Sequence, residues 1–139
     1  MPFSNTASNT YLRQICGKTS STNLGSTCYM GLSTTTPNAD GTNFTEPSAS
    51  NGYARSLIGL SSQSATQVMG APVNGTITNT GIIFFPEATA SWGTITYFGL
   101  FSAETGGDLI LYGALSNSVS VPATYVPIFK ANNFSLTLT

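Results

Sequence analysis

The sequence predicts an all-β protein, an antiparallel β-sandwich or jelly-roll-like fold of about eight short strands with one short N-terminal helix. Three observations support this prediction. Segments rich in β-branched and aromatic residues recur along the chain, and Gly, Pro, Asn and Asp separate them. No internal repeat with a period of about 20–50 residues is visible. The 139 residues have the length of one domain, and eight Phe and six Tyr provide a core.

The helix is predicted in residues 4–17, before the first strand. Three residues can cap its N-terminus: Ser4, Thr6 and Ser8. Apolar residues at helical spacing share one face, namely Leu12, Ile15 and Cys16. Gly17 stands where a helix ends. We therefore divide the chain into an N-terminal arm with a short helix (1–27) and a β-sandwich domain (28–139).

The arm has two interpretations, because a helix of this length is marginally stable alone and needs a docking partner. It can pack on its own sandwich, or it can bind a neighbouring subunit. The second interpretation makes Leu12, Arg13 and Ile15 candidate residues for anchoring the protein in an assembly, and Arg13 is one of only four cations in the chain.

Strands follow from alternating or continuous apolar patterns between turn residues. The predicted strands are Ser26–Ser33, Tyr53–Leu60, Thr76–Asn79, Ile82–Phe85, Gly93–Phe101, Asp108–Leu115, Ser118–Val121 and Phe134–Thr139. The Gly-Gly turn before Asp108 indicates a hairpin between the fifth and sixth of these. Ile82–Phe85 is apolar on both faces, which predicts a central strand. In the last strand Phe134, Leu136 and Leu138 should face one way, and residues 34–52 should form a long loop.

Charge is scarce: the chain has four basic residues, five acidic residues and no histidine. This composition excludes a Ser-His-Asp triad and provides no basic face for phosphates. Two cysteines without histidine are too few ligands for a zinc site. We expect no enzymatic activity, no cofactor or metal, and no nucleic-acid or membrane partner. Small neutral polar groups and a low net charge instead favour self-association.

The remaining chemistry-bearing residues favour structural roles. A glycosidase would need two of the five carboxylates, and Glu104 and Asp108 flank the predicted hairpin turn, where solvated carboxylates are common. Residues 1–4 lack the pattern of a signal peptide, so we expect the protein to be made and kept in a cytoplasm. In that reducing compartment Cys16 and Cys28 are more often buried hydrophobes than a disulfide.

Glu46 and Arg55 flank the end of the long loop and have two interpretations. They form a buried or intersubunit salt bridge that pins the loop to the second strand, or they are two exposed, unpaired charges. Trp92, the single tryptophan, also has two interpretations. It closes the core as an amphipathic side chain, or it stacks on a sugar together with some of the tyrosines.

Two stretches of the chain resemble a known group of proteins. The first stretch runs from Leu32-Ser33-Thr34-Thr35-Thr36-Pro37 through Phe44-Thr45-Glu46-Pro47-Ser48 to Gly52-Tyr53-Ala54-Arg55. The second runs from Phe85-Pro86-Glu87-Ala88-Thr89 through Trp92–Phe101 to Gly106-Gly107 and Tyr112-Gly113-Ala114-Leu115. Together they resemble small bacteriophage virion proteins commonly labelled tail fibre proteins. The resemblance covers residues 28–139 and brings no catalytic or binding residues with it.

The resemblance implies a non-enzymatic virion structural protein on the exterior of a bacteriophage, as a tail-fibre-type or capsid-decoration module. The implied partners are other virion proteins assembled in the host bacterial cytoplasm. The low net charge and the unpaired strand edges of a small sandwich further predict self-association, with a trimer favoured. An alternative is a carbohydrate-binding module that recognises a host surface glycan through Trp92 and the tyrosines. Head or tail placement is left open by the sequence.

Overall fold

The computed structural model describes residues 2–17, 27–60 and 68–138. Within these ranges the chain forms one helix, α1 (Asn5–Ile15), and eight strands. The strands are β1 (Thr27–Ser33), β2 (Ser56–Leu60), β3 (Thr76–Thr78), β4 (Ile83–Phe84), β5 (Gly93–Phe101), β6 (Leu109–Val121), β7 (Ile128–Phe129) and β8 (Ser135–Thr137). All strand pairs are antiparallel. The predicted fold class, all-β and sandwich-like with one short helix, is confirmed.

The largest sheet has the strand order β2-β1-β5-β6, and two small sheets, β3-β8 and β4-β7, complete the fold. The small sheets pack over one face of the large sheet through aromatic contacts. The ring of Phe134, just before β8, lies edge-on 5.1 Å from Phe98 of β5. The ring centroid of Phe129 in β7 lies 6.3 Å from the ring centroids of both Phe134 and Phe85. Because β-strand side chains alternate between faces, Met30, Leu32, Phe98 and Leu100 share this buried face.

The β5–β6 hairpin forms where the sequence predicts it, and β5 has the predicted bounds. Its turn contains Gly106 and Gly107, both with positive φ. The strand expected at Ser118–Val121 is instead the continuation of β6, which remains paired with β5 as far as Val121↔Gly93. The pairing register between the two strands shifts between Ile95 and Tyr97 of β5. Tyr97 pairs with Ala114 and Ile95 with Val119, so residues 115–118 of β6 form a bulge opposite Thr96 alone.

The expectation of a central strand at Ile82–Phe85 is wrong. β4 pairs only with the two-residue strand β7 in the described part of the chain. Ile83 is buried, but Ile82 and Phe84 are 41% and 58% exposed. An apolar run fixes the burial of one face, while the other face is buried only if a further layer covers it.

Three other features of the strands differ from what the sequence predicts. Tyr53–Arg55 lie in the loop before β2, where the side chains of Tyr53 and Arg55 bond to Glu46. Strand β7 was not predicted, because two apolar residues after Pro127 are too short a pattern. Near β8, Phe134 is buried while Leu138 is 65% exposed. Ser26 and Thr139, the outer ends of two predicted strands, lie outside the described residues.

The helix lies against the outer edge of β6. Residues 2–4 run antiparallel to this strand: Ser4 N donates to Ile110 O at 2.8 Å, and Tyr112 N donates to Pro2 O at 3.3 Å. Ala7 and Thr10 form the buried face of α1. Of the three predicted caps the structure selects Ser4, whose hydroxyl accepts from Ala7 N at 3.2 Å. No helix in the described ranges is long and apolar enough to cross a membrane.

We predict that Ser4→Ala lowers the free energy of unfolding by about 1 kcal/mol, because it removes the acceptor for one helix-end N–H. Ser4 is only 2% exposed, so water replaces that acceptor poorly. Urea unfolding followed by circular dichroism measures the change. The matched control is Ser8→Ala, inside the same helix, which should change stability by less than about 0.5 kcal/mol. Equal losses in both variants would contradict the capping role.

Candidate functional site

Glu46 and Arg55 lie together at the end of the long loop that connects β1 to β2. The contact has two parallel bonds: Arg55 Nε donates to Glu46 Oε1 and Arg55 Nη2 to Glu46 Oε2, both at 2.8 Å. The Arg55 side chain is 7% exposed and that of Glu46 26%. This geometry matches the buried-pair interpretation, and the bidentate form is the strong arrangement for an arginine and a carboxylate.

The other guanidinium nitrogen of Arg55 binds the β5–β6 hairpin turn. Arg55 Nη1 donates to Ala103 O at 2.9 Å and to Gly106 O at 2.8 Å. Four of the five N–H donors of arginine are therefore used. Two carbonyls of the turn thereby accept hydrogen bonds from a charged donor. One side chain connects the long loop, β2 and a turn about fifty residues away in sequence.

A pair of aromatic rings packs against the Arg55 end of the ion pair. The guanidinium carbon of Arg55 lies 3.5 Å from the centroid of the Phe101 ring, which is a cation–π contact. Phe44 of the long loop packs edge-on against Phe101, with ring centroids 4.9 Å apart. Water is thus displaced from one side of the cation, and the Coulomb attraction to Glu46 acts in a lower dielectric than at an open surface.

Tyr53 joins the carboxylate to the sheet. Its hydroxyl donates to Glu46 Oε1 at 2.6 Å and accepts from Leu32 N at 3.0 Å. Burial, and then the neighbouring Glu46 carboxylate, raise the pKa of Tyr53 far above its ordinary value. Tyr53 is therefore held as a neutral donor. The contact also requires a glycine in β1, because a Cβ at Gly31 would lie 2.9 Å from Glu46 Oε1.

Trp92 is 4% exposed and packs edge-on against Tyr53 at 5.3 Å. Its indole N–H donates to Asn51 O at 2.8 Å, so the polar edge of the ring is satisfied inside the protein. A sugar-stacking platform needs a ring face open to solvent. Trp92 instead packs in the core, and its bond to Asn51 connects the 3-10 turn Ala49–Asn51 to that core.

The proposed anchor residues lie on the outer side of α1. Leu12 is 60% exposed and Ile15 80% exposed, and Arg13 is exposed beside them. The helix thus docks on its own sheet through Ala7 and Thr10 while presenting two large apolar side chains outward. Both cysteines are free: Cys16 is exposed, and burial raises the pKa of the Cys28 thiol to about 11.

The acidic residues outside the ion pair do not converge. In the described ranges no group of three or more His, Cys, Asp or Glu residues is placed to hold a metal ion. Glu104 and Asp108 are exposed at the hairpin turn, and Glu87 is exposed near Ala88. Within its own turn Asp40 accepts from Thr42 Oγ1 at 2.6 Å and from Thr42 N at 2.9 Å, and these two bonds lower its pKa.

The structure also contains a groove that the sequence did not indicate. We call it the Tyr125 groove; it lies between residues 114–121 of β6 and residues 125–135, with a volume of about 840 Å³. Its buried side is formed by Ile95, Phe98 and Phe134, and all 18 lining residues are uncharged. Since the two walls are brought together by tertiary packing, no local motif marks them in the sequence.

We predict that Arg55→Met or Glu46→Gln lowers the free energy of unfolding by about 3–5 kcal/mol, because each leaves a largely buried partner uncompensated. The double variant should lose clearly less than the sum of the two single losses. Urea melts of the four proteins measure this coupling. Lys130→Met, which removes an exposed cation, is the matched control and should change stability by under about 0.5 kcal/mol. Small additive losses would show that the pair contributes little.

Comparison with known protein families gives a match over almost the whole chain. The comparison with curated proteins found no match. A protein-family model described as "Podophage GP4 fiber I protein gp80" matches residues 2–137, which include α1 and all eight strands. The match therefore covers the arm as well as the sandwich, and it supports the resemblance to phage tail fibre proteins. The chain belongs to the Podophage GP4 fiber I protein gp80 family, a family of phage fibre structural proteins.

Proposed function

We propose that the protein is a non-enzymatic module on the exterior of a phage particle, of the tail-fibre type, and that it acts by assembly. The match of the fibre family over residues 2–137 carries this proposal. The described residues agree with it in their chemistry. The one buried ion pair has all its oxygens and most of its donors engaged in structural contacts, which leaves no free acid or base there.

Homo-oligomerisation, with a trimer expected, is supported by the surface. Several large apolar side chains outside the groove are exposed although the chain has few charges to keep copies apart: Leu12, Ile15, Leu57, Ile82, Phe84 and Leu138. Where such side chains are contiguous, exposed apolar area marks association surfaces. In the large sheet β2 is an outer strand, and unpaired strand edges favour covering by another chain.

Attachment to the particle is assigned to the outer face of α1. This face carries Leu12, Arg13 and Ile15, so it combines two exposed apolar side chains with a cation. The opposite face is already used to dock the helix on β6, which fixes the direction in which these residues point. A docked helix is pre-ordered and binds a neighbour at a lower entropic cost than a free arm.

We predict that the double variant Leu12→Ser/Ile15→Ser folds normally but enters particles at a level at least about tenfold lower, because the lost contacts lie outside the core. Mass spectrometry of purified particles measures incorporation, immunogold labelling locates the protein, and mass photometry gives its oligomeric state. The matched control is Val73→Ser, an equally exposed apolar residue on another surface. Normal incorporation of the double variant would exclude the α1 face as the anchor, and a stable monomer at micromolar concentration would exclude homo-oligomerisation.

A further inference from the structure

We propose that the Tyr125 groove binds a neutral oligosaccharide. The inference deepens the proposed exterior role, since only an exterior module meets glycans of a host surface. The groove has a volume of about 840 Å³. This lies within the range of about 300–1,000 Å³ that is usual for small-ligand sites. The site therefore has room for a ligand of several rings.

The chemistry of the lining fits a sugar. Apolar side chains form the inner side of the groove, and amides and hydroxyls stand along it, from Ser116, Asn117, Asn132, Asn133 and Ser135. A neutral sugar presents C–H faces that pack on apolar and aromatic groups, and hydroxyls that both donate and accept. Amide side chains offer both donors and acceptors, whereas charged groups are absent from this lining. An anionic or cationic ligand would therefore find no counter-charge among the lining residues.

The amide groups of the groove are available for a ligand. The side chains of Asn117, Asn132 and Asn133 line the groove, and all three are exposed. A second copy of the chain covering this groove with apolar residues would strand these donors and acceptors, at a cost in free energy for each. A hydroxyl-rich ligand would satisfy them. The observations therefore favour a glycan over a protein partner here.

Tyr125 provides an aromatic ring with an accessible face. It is 48% exposed, in contrast to the buried Trp92. Two backbone hydrogen bonds fix the segment that carries the ring. Ala88 N donates to Tyr125 O at 2.9 Å, and Phe85 N donates to Pro127 O at 3.1 Å. The ring thus stands on a fixed wall, and little conformational entropy is lost when it contacts a ligand.

Both walls of the groove contain irregular backbone that the fold maintains. Thr124, immediately before Tyr125, has φ 71°, which is unfavourable for a β-branched residue. Its N–H donates to Ala88 O at 2.7 Å, and this bond helps to hold the conformation. On the opposite wall, residues 115–118 form the bulge of β6 opposite Thr96. Maintained strain and bulges concentrate at binding sites, where they direct side chains toward a ligand.

The test is a glycan array probed with the purified full-length chain, followed by calorimetry with the best neutral oligosaccharide. We expect binding to neutral glycans that does not fall as salt is raised. Tyr125→Ala and Asn133→Ala should each weaken binding by about tenfold or more, because each removes a central contact. Tyr125→Phe, which keeps the ring, should weaken it by much less. Phe84→Ala is the matched control, since Phe84 is an exposed aromatic residue outside the lining.

Several results would overturn the inference: no binding to any neutral glycan, binding to acidic glycans only, or affinities unchanged in Tyr125→Ala and Asn133→Ala. A change in oligomeric mass in Tyr125→Ala, measured by mass photometry, would make the groove an interface between copies and overturn it as well. Because the assay uses isolated protein, it is independent of particle incorporation. A protein that binds glycans but is absent from the particle exterior would contradict the proposed function and not the groove.

Discussion

The structure depends on one largely buried ion pair. Arg55 and Glu46 bond to each other, and through their remaining atoms they also bond to the hairpin turn and, by way of Tyr53, to β1. Burying two charges is costly unless nearly every donor and acceptor is satisfied. Here the requirement is met by residues from distant parts of the chain, so the contact is formed only when these parts are correctly placed. The pair therefore contributes to the uniqueness of the fold as well as to its stability.

The small number of charged residues explains several other features of the structure. With only nine charged residues, the polar groups of the chain are mostly small hydroxyl and amide side chains, which contact either water or another molecule at a modest cost. The same composition explains why the carboxylates outside the pair are isolated at turns. It also gives the protein two different outward surfaces, an apolar helix face at α1 and an amide-lined groove beside Tyr125. Membership in a phage fibre family places both surfaces in the context of a structural protein.

Local patterns predicted the local elements well. The β5–β6 hairpin, the capped helix and the starts of most strands depend on residues near in sequence, and turn glycines and β-branched runs mark them. Prediction failed where burial depends on distant segments. The pattern of Ile82–Phe85 shows apolar residues but not whether a second layer covers Phe84, and two-residue strands such as β7 leave no periodicity. The ion pair was predicted as one of two interpretations, because residue spacing does not report burial. The groove was missed, because it exists only after β6 and residues 125–135 come together.

The connection of the long loop to the hairpin turn through Arg55 also has a consequence for folding kinetics. The partners of Arg55 Nη1 are about fifty residues further along the chain, so the contact closes a long loop and should form late, after β5 and β6 have paired. Interactions that are absent from the folding transition state mainly slow unfolding and have little effect on the rate of folding. We therefore expect the bonds of Arg55 Nη1 to the turn to form late in folding and to lengthen the lifetime of the native state. Such kinetic stability suits a structural protein of a phage fibre family.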